Sequence, residues 1–324
     1  MTQRPTISIA LATYQGQQHL PEQLHSLACQ TRRPDELVVC DDGSNDRTQD
    51  IVRDFASSAP FVVQWHRHEQ RQGVAGNFQS AIERCTGDLI FLCDQDDVWQ
   101  PRKVQRIADE FNDDDCLAVF HDLEIVDANL QSLQRTQWQR LAFSAAERRA
   151  FAHGESFAML LRRNVVTGAG FAFRARCRPA VLPIAQPWIH DEWIAIVLAA
   201  CGRIAMVDEP LVRYRQHASQ QIGGGASGLI TQFSHARARM NADYFRDMEL
   251  RAQTLVERLD WLGGAVRSPS CVAAARHRLE HVRRRVRLRQ SAWRRGPGAL
   301  GEWIRGDYAR FAYGWRSLMQ DLLL

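Results

Sequence analysis

The 324-residue sequence contains no CxxC pair and no Cys/His cluster at zinc spacing, which argues against a structural zinc site. Its eight cysteines are scattered. Cys40, Cys93 and Cys201 lie inside apolar runs, as small buried thiols in a reducing compartment do. Long apolar runs are missing too: the longest, residues 194–201, falls far short of the roughly 20 residues that cross a bilayer. The opening MTQRPTISIALATY lacks the charged-then-apolar layout of a secretory signal. Gly (20) and Pro (11) are not in excess, and no internal repeat or low-complexity tract is visible, so fibrous and disordered classes are excluded. The expectation is a cytoplasmic, non-spanning chain with one large domain or two smaller ones.

Charge is unevenly placed. The net charge is +4, from 41 Lys and Arg against 37 Asp and Glu. From Cys271 onward, 12 Arg face four acids (Glu280, Glu302, Asp307, Asp321), a local +8 that leaves −4 for the first 270 residues.

The first part alternates. Residues 6–13 (TISIALAT), 36–41 (ELVVCD), 61–67, 88–93 and 117–126 are β-rich. Residues 17–30 carry Leu20, Leu24 and Leu27 at helical spacing. Ser44 or Asn45 is placed to cap a helix to about Phe55, and Asn77 to cap one to Cys85. Pro101 suits the first turn of a helix with Val104, Ile107 and Phe111 on one face. Such alternation implies an α/β fold with a mostly parallel sheet flanked by helices. Residues 156–163 and 191–200 then read as helices, 168–175 as a strand, and 204–207 and 211–215 as short strands.

GGGASG (223–228) is the best linker, which divides the chain into a domain at 1–226 and a C-terminal basic helical region at 227–324. That region reads as a helical hairpin. Its first helix has a stripe of Phe233, Met240, Tyr244, Met248, Ala252, Leu255, Leu259 and Leu262, stopped by Gly263 and Gly264. The second sets Val272, Ala275, Leu279, Val282, Val286 and Trp293 against a face of Arg276, Arg278, Arg283, Arg284, Arg285, Arg287 and Arg289.

Ligands on open α/β sheets bind beyond the carboxyl ends of the strands. Three polar clusters fall there: TYQG, CDDGSND and DQDDVW. In LIFLCDQDDVW (89–99) three carboxylates follow a buried-strand pattern within four residues. A strand-end D-x-D lets a divalent cation bridge two carboxylates to a phosphate, and hard oxygen ligands select Mg²⁺ or Mn²⁺. The alternative for Asp96 and Asp97 is a helix N-cap, with Asp97 the one expected to serve the fold. Asp41 and Asp42 fit either turn chemistry or acceptance from a nucleobase N–H or ribose hydroxyl. Tyr14 fits a base-stacking aromatic or a half-buried loop residue.

Taken together, TYQG, CDDGSNDRT, RQGVAGNFQSAIERCTGDLIFLCDQDDVW, WIHDEW and YRQH, in that order, resemble family 2 glycosyltransferases of the GT-A fold. Within them the chain is most similar to the rhamnosyltransferase-like branch, in which DQDD is followed by an aromatic residue. The motif resemblance covers residues 7–222, and the ending GDYARFAYGWRSLMQDLLL is similar to the tails of that branch. The resemblance implies that Thr13 and Tyr14 line the base pocket and that Asp41 and Asp42 contact base and ribose. It implies that Gly73 and Asn77 flank the donor site, that Asp94 lies toward ribose and Asp96 toward metal and diphosphate. It makes Asp191 the catalytic base, and sets Arg215 and His217 on a late loop that closes on metal or diphosphate. Two departures stand out: Gln15 replaces the usual Asn of TYN-G, and VVTGAGFAF lacks the Thr or Cys often found on the acceptor side.

The residues also allow Asp191 and Glu192 simply to favour a helix dipole, with Glu192 the competing base and His190 a packing or orienting residue. The expected function is inverting, metal-dependent transfer of a sugar, rhamnose by the branch resemblance, from a nucleoside-diphosphate sugar to a glycan or lipid-linked glycan acceptor. Alternatives are a sugar-phosphate nucleotidyltransferase, for which TYQGQQHL lacks the Gly-rich loop with Arg or Lys, and a non-catalytic adaptor. For the arginine-rich tail, no nucleic-acid motif appears. An anionic membrane surface is the partner expected there, with Trp293, Trp303, Tyr308, Phe311, Tyr313 and Trp315 at the interface. That would place the protein peripherally on the cytoplasmic face of the membrane.

Overall fold

The computed structural model describes residues 4–216, 242–289 and 292–323. Nine strands form one mixed sheet: β1 (Ile7–Thr13), β2 (Glu36–Asp41), β3 (Val62–Arg67), β4 (Leu89–Asp94), β5 (Val98–Trp99), β6 (Cys116–Val126), β7 (Ser132–Thr136), β8 (Phe171–Arg174) and β9 (Arg203–Arg215). The order is β3-β2-β1-β4-β8-β6-β9-β5, with β7 on β6. The first four strands are parallel, as expected, whereas β8 is antiparallel to both β4 and β6. The two short strands expected at 204–207 and 211–215 are one long strand, β9, whose pairing with β6 shifts register ahead of Pro210.

Period-two alternation sends neighbouring residues into opposite cores. Ala10, Val38, Ile90 and Leu92 face one layer, with Phe120 and Phe173. Ile9, Leu11, Val39 and Phe91 face the other. The second layer is covered by α1 (Leu20–Ala28), α2 (Thr48–Ala56) and, further along the chain, α4 (Lys103–Asp109). The first is covered by α3 (Gly73–Arg84). The short helices α5 (Gln137–Arg140), α6 (Ala145–Ala150), α7 (Ser156–Arg162) and α8 (Arg178–Val181) lead to α9 (His190–Cys201), apolar on all sides and buried in the first layer.

Several boundaries differ from expectation for local reasons. Ser44 and Asn45 do not cap α2; Asp46 instead accepts the Thr48 N–H at 3.0 Å. Helix α3 begins at Gly73, so Asn77 is inside it and does not cap it. Asp97 does not cap α4, whose N-terminus has no side-chain cap; it accepts the Arg215 N–H from β9 at 3.1 Å.

Later in the chain, α10 (Ala242–Leu262) and α11 (Pro269–Arg289) form the expected hairpin, followed by α12 (Ala292–Ile304), α13 (Asp307–Phe311) and α14 (Trp315–Leu323). Phe233, Met240, the GGGASG linker and the boundary at 226 lie outside the described residues. Ala252, Leu255 and Leu259 of α10, with Ala275 and Leu279 of α11, join α9 in the first core. The arginine face of α11 is largely internal wiring. Arg276 pairs with Asp260, Arg283 with Glu249 and Glu280, Arg284 with Glu302 and Asp307, and Arg285 with Asp321. Tyr308 and Phe311, expected at an interface, are buried. None of the described helices is long and apolar enough to cross a membrane.

Glu36 knits the parallel strands. Its carboxylate accepts from Ser8 Oγ at 2.5 Å, Thr86 N at 2.5 Å, Thr86 Oγ1 at 3.0 Å and Gln64 Nε2 at 3.0 Å. Burial alone would raise its pKa, but the bonds from Ser8 and Thr86 outweigh burial and hold it low. Replacing Glu36 by Ala is expected to cost about 2 kcal/mol in denaturant unfolding at pH 7. Because the folded pKa is depressed, this contribution is full above the ordinary glutamate pKa of about 4.3 and shrinks as pH falls below it. The gap between wild type and Glu36→Ala should therefore narrow in unfolding curves taken toward pH 3.

Candidate active site

The register aligns the carboxyl ends of three strands: Thr13 lies opposite Asp41, and Ala12 opposite Asp94. Their loops, with the starts of α3 and α9, border a cleft of about 520 Å³, within the range usual for small-molecule sites. The cleft brings together Thr13, Tyr14, Asp42, Asn77, Asp94, Asp96 and Asp191. Asp41, Gly73 and Arg215 do not line it, and His217 lies outside the described residues.

Asp41 builds its own turn. Fully buried, it accepts from Ser44 N at 2.7 Å, Ser44 Oγ at 2.5 Å and Thr13 Oγ1 at 3.2 Å. Asp42 edges the cleft and accepts from the Gln72 and Gly73 amides at 2.6 and 3.0 Å. Gly73 has φ +71°, a left-handed conformation that glycine adopts without strain. Asn77 Nδ2 donates to the Thr13 carbonyl at 3.1 Å, which fixes the end of β1 against α3. Gln15 also has a positive φ, +53°, a region in which Asn is enriched. Its side chain reaches Asn45 at 2.6 Å. Over the Tyr14 ring lies the Arg71 guanidinium, 3.8 Å from the centroid.

The DQDD loop is pinned from both sides. Gln95 accepts from Tyr14 N at 2.9 Å and donates to Tyr14 O at 2.8 Å, a two-point backbone clamp. Arg215, 2% exposed, donates through Nε to the Asp96 carbonyl at 2.7 Å, contacts the Ala128 carbonyl at 2.5 Å, and pairs with Glu22. Below the loop is Lys103, the only lysine in the sequence. It is 1% exposed, bonds the Ala169 carbonyl at 2.7 Å, and sits 3.3 Å from the centre of the Trp99 ring. Burial pushes its pKa down to about 7, against the pull of Cys93, Asp97 and Asp94. Gln95, Arg71 and Lys103 were not foreseen. Gln95 lies within DQDD, where it could have been suspected; nothing local marks Lys103, which reaches the loop through the packing of α4.

The acids respond to their crowding. Burial, then the charges of Asp96 and Asp191, raise Asp94 to about 7. Asp97 is raised well above its ordinary value by burial, then by Asp96 and Asp94. Asp191 occupies the first turn of α9. Its Oδ2 accepts the Gly168 N–H at 2.7 Å and its Oδ1 the Glu192 N–H at 2.7 Å. Burial raises its pKa, opposed by His190, the Gly168 amide and its own backbone amide. Gly168 has no room for a side chain: a Cβ there would lie 2.8 Å from His190 Nε2. His190 stacks on Phe78 with ring centroids 3.8 Å apart. Glu192 is paired with Arg251 of α10.

A mixed α/β sheet whose strand ends carry an acid cluster, an aromatic and a buried carboxylate at a helix start defines a GT-A type glycosyltransferase scaffold. The family model "Glycosyl transferase family 2" matches residues 8–174, and the chain belongs to that family. An uncharacterised glycosyltransferase of Nostoc sp. is 28% identical over 256 residues, 76% of each chain. Among solved structures, S. aureus TarS (residues 1–349) in complex with UDP-GlcNAc aligns with a TM-score of 0.52 at 16% identity, over 79% of this chain and 73% of that one. The mannosyltransferase PcManGT from Pyrobaculum calidifontis, in complex with GDP-Man and Mn²⁺, aligns with a TM-score of 0.51 at 18% identity, over 95% and 76%. These likenesses bear on the fold. The protein is a family 2 glycosyltransferase.

The raised pKa of Asp94 has a consequence for stability. A carboxyl whose folded pKa lies above its unfolded value loses stability as pH rises between the two. Asp94→Asn removes that charge. It should raise the melting temperature of the unligated chain at pH 8 by several degrees, on the order of 1–2 kcal/mol, and change it little at pH 5.

Proposed function

We propose that this glycosyltransferase moves a sugar from a nucleoside-diphosphate donor to a hydroxyl of a glycan acceptor with inversion at the anomeric carbon. The carrying observation is the buried Asp191 carboxylate, held by two amides in the same cleft as Tyr14, Asp42, Asp94 and Asp96. Tyr14 offers a stacking face for the base and Asp42 an acceptor for ribose or base N–H. Arg71 and Arg140 bring cations to the cleft that suit a diphosphate. Arg215 acts from behind, by fixing the Asp96 backbone. Asp41 shapes the turn that presents Asp42.

The donor set at the end of β4 fits a hard divalent cation, because it offers carboxylate oxygens whose mutual repulsion a cation relieves. Asp96, with Asp94 beside it, would hold Mg²⁺ or Mn²⁺, which when bound neutralises charge on the departing nucleoside diphosphate. Asp191 takes the proton of the acceptor hydroxyl. The acceptor oxygen attacks the anomeric carbon from the face opposite the diphosphate, and the bond to the diphosphate oxygen breaks. A carboxylate pKa raised by burial makes Asp191 a better base than an exposed aspartate. Glu192, paired with Arg251, positions the helix start instead. Gln137, Asn164 and Thr167 line the part of the cleft contributed by later elements, where the acceptor fits. The branch resemblance favours rhamnose as the sugar and a lipid-linked polysaccharide intermediate as the acceptor.

Asp191→Asn is expected to lower transfer by about 100-fold or more while donor affinity stays within about twofold. Unchanged turnover would assign the base to Glu192. A thermal-shift panel of nucleotide sugars, dTDP-rhamnose included, reads the donor. Mn²⁺ stabilisation should grow between pH 6 and 8, since the Asp94 carboxyl held at about 7 must lose its proton, and Asp96→Asn should abolish it.

A further inference from the structure

The C-terminal end of the molecule carries a surface that the transfer reaction does not use. On α12, Leu300, Trp303 and Ile304 are 55%, 43% and 76% exposed, at the i, i+3, i+4 spacing of one helix face. On α14, Trp315, Met319 and Leu322 are exposed at i, i+4, i+7, and Tyr313 precedes them in the connecting turn. Helices α12 and α14 pack on one another, so both stripes border the same end. Seven of the twelve large exposed hydrophobics among the described residues fall within residues 300–322. A soluble surface rarely concentrates them so without a partner.

The exposed charges within residues 292–323 are of one sign. The acids of this segment, Glu302, Asp307 and Asp321, are each at most 2% exposed and turned inward. Glu302 meets His281, Arg284 and Arg305; Asp307 meets Arg284 and His277; Asp321 meets Arg285 and Tyr308. Outside remain Arg305, Arg310 and Arg316, all exposed, with Arg310 and Arg316 lying beside Phe311 and Trp315. Aromatic side chains with an apolar body and a polar edge, flanked by arginines and with no exposed acid among the described residues of the segment, match the boundary of an anionic bilayer.

We propose that the exposed ends of α12 and α14, centred on Trp303, Ile304, Tyr313 and Trp315 and ringed by Arg305, Arg310 and Arg316, dock the enzyme on an anionic lipid surface. This places the contact on the terminal helices and not on the arginine face of α11, where Arg276, Arg283, Arg284 and Arg285 are already paired with acids of the chain. Elsewhere the C-terminal helices reach the start of α9, where Arg251 of α10 pairs with Glu192 beside Asp191. Delivery of a lipid-linked acceptor through this surface rests on the transfer reading above; the docking itself does not.

Sedimentation of the full chain with vesicles of phosphatidylethanolamine and phosphatidylglycerol tests it, with phosphatidylcholine vesicles as the neutral control. The expected result is salt-sensitive binding to the anionic vesicles only, with a blue shift of tryptophan fluorescence. Trp303→Ser/Trp315→Ser and Arg310→Glu/Arg316→Glu should each weaken binding roughly tenfold or more. Arg287→Glu, exposed on α11, should leave it unchanged. Melting temperatures and hydrolysis of the soluble donor report whether each variant is folded. A wild-type chain that stays in the supernatant with anionic vesicles overturns the proposal, as do folded tryptophan variants that sediment like wild type. Variants that convert a dimer to a monomer without any lipid binding would assign the surface to a second copy. Binding without turnover of any nucleotide sugar would leave the docking surface standing and remove the transfer reading.

Discussion

Carboxylate crowding at the end of β4 is the constraint around which the catalytic half is arranged. Asp94, Asp96 and Asp97 follow a fully apolar strand with only Gln95 between them, and Asp191 adds its field from α9. The loop is gripped by the Gln95 side chain on the Tyr14 backbone and by Arg215 on the Asp96 carbonyl, while Lys103 sits beneath. Neither clamp uses a carboxylate oxygen of the loop. That arrangement costs stability in the free protein and holds a ligand site in readiness, the usual compromise at functional sites.

The C-terminal helices solve the opposite problem. There Glu302, Asp307 and Asp321 are buried and paired with Arg and His of the same helices. Glu302 illustrates the balance: burial would raise its pKa, but the bonds from His281 and Arg284 outweigh it and bring it to about 2. His281, Glu302 and Asp307 lie close enough together to hold a metal ion. Arg284 already bonds both carboxylates and Arg305 bonds Glu302, so the positive charge such a cluster calls for is supplied covalently by the chain. The two acid clusters thus differ in kind: one is closed by arginines, the other borders the cleft.

The parallel half of the sheet was legible because its strands are short apolar runs ending in turn-forming polar clusters, and the switch-point rule then located the cleft. Tyr14, Asp42, Asn77, Asp94, Asp96 and Asp191 do meet there. What sequence pattern missed were matters of tertiary context. Asn77 looked like a cap because its side chain bonds backbone; it does, but on β1 and not on its own helix. The antiparallel β8 is too short for alternation to reveal its direction. The α11 arginines looked like a face for an anionic surface because their partners are scattered over residues 249–321, far apart in sequence and joined only by helix packing. Single-residue charge patterns cannot show which acids fold inward.

The family match stops at residue 174, and this division has a physical meaning. The elements proposed to hold the nucleotide (the ends of β1, β2 and β4 and the start of α3) lie within it. Asp191, Glu192 and Arg251 lie beyond it, on α9 and α10, the elements that also tie the terminal helices to the core. On the proposed mechanism, a shared front half presents the leaving group, and the chain's own later half sets what attacks it. The Glu192–Arg251 pair joins the start of the helix that carries Asp191 to the C-terminal helices, so a change in how those helices sit would be felt first at Asp191 and only afterwards at the DQDD loop. Acceptor choice and surface attachment would then be properties of one packed unit, separable from donor binding by mutation of α10 to α14 alone.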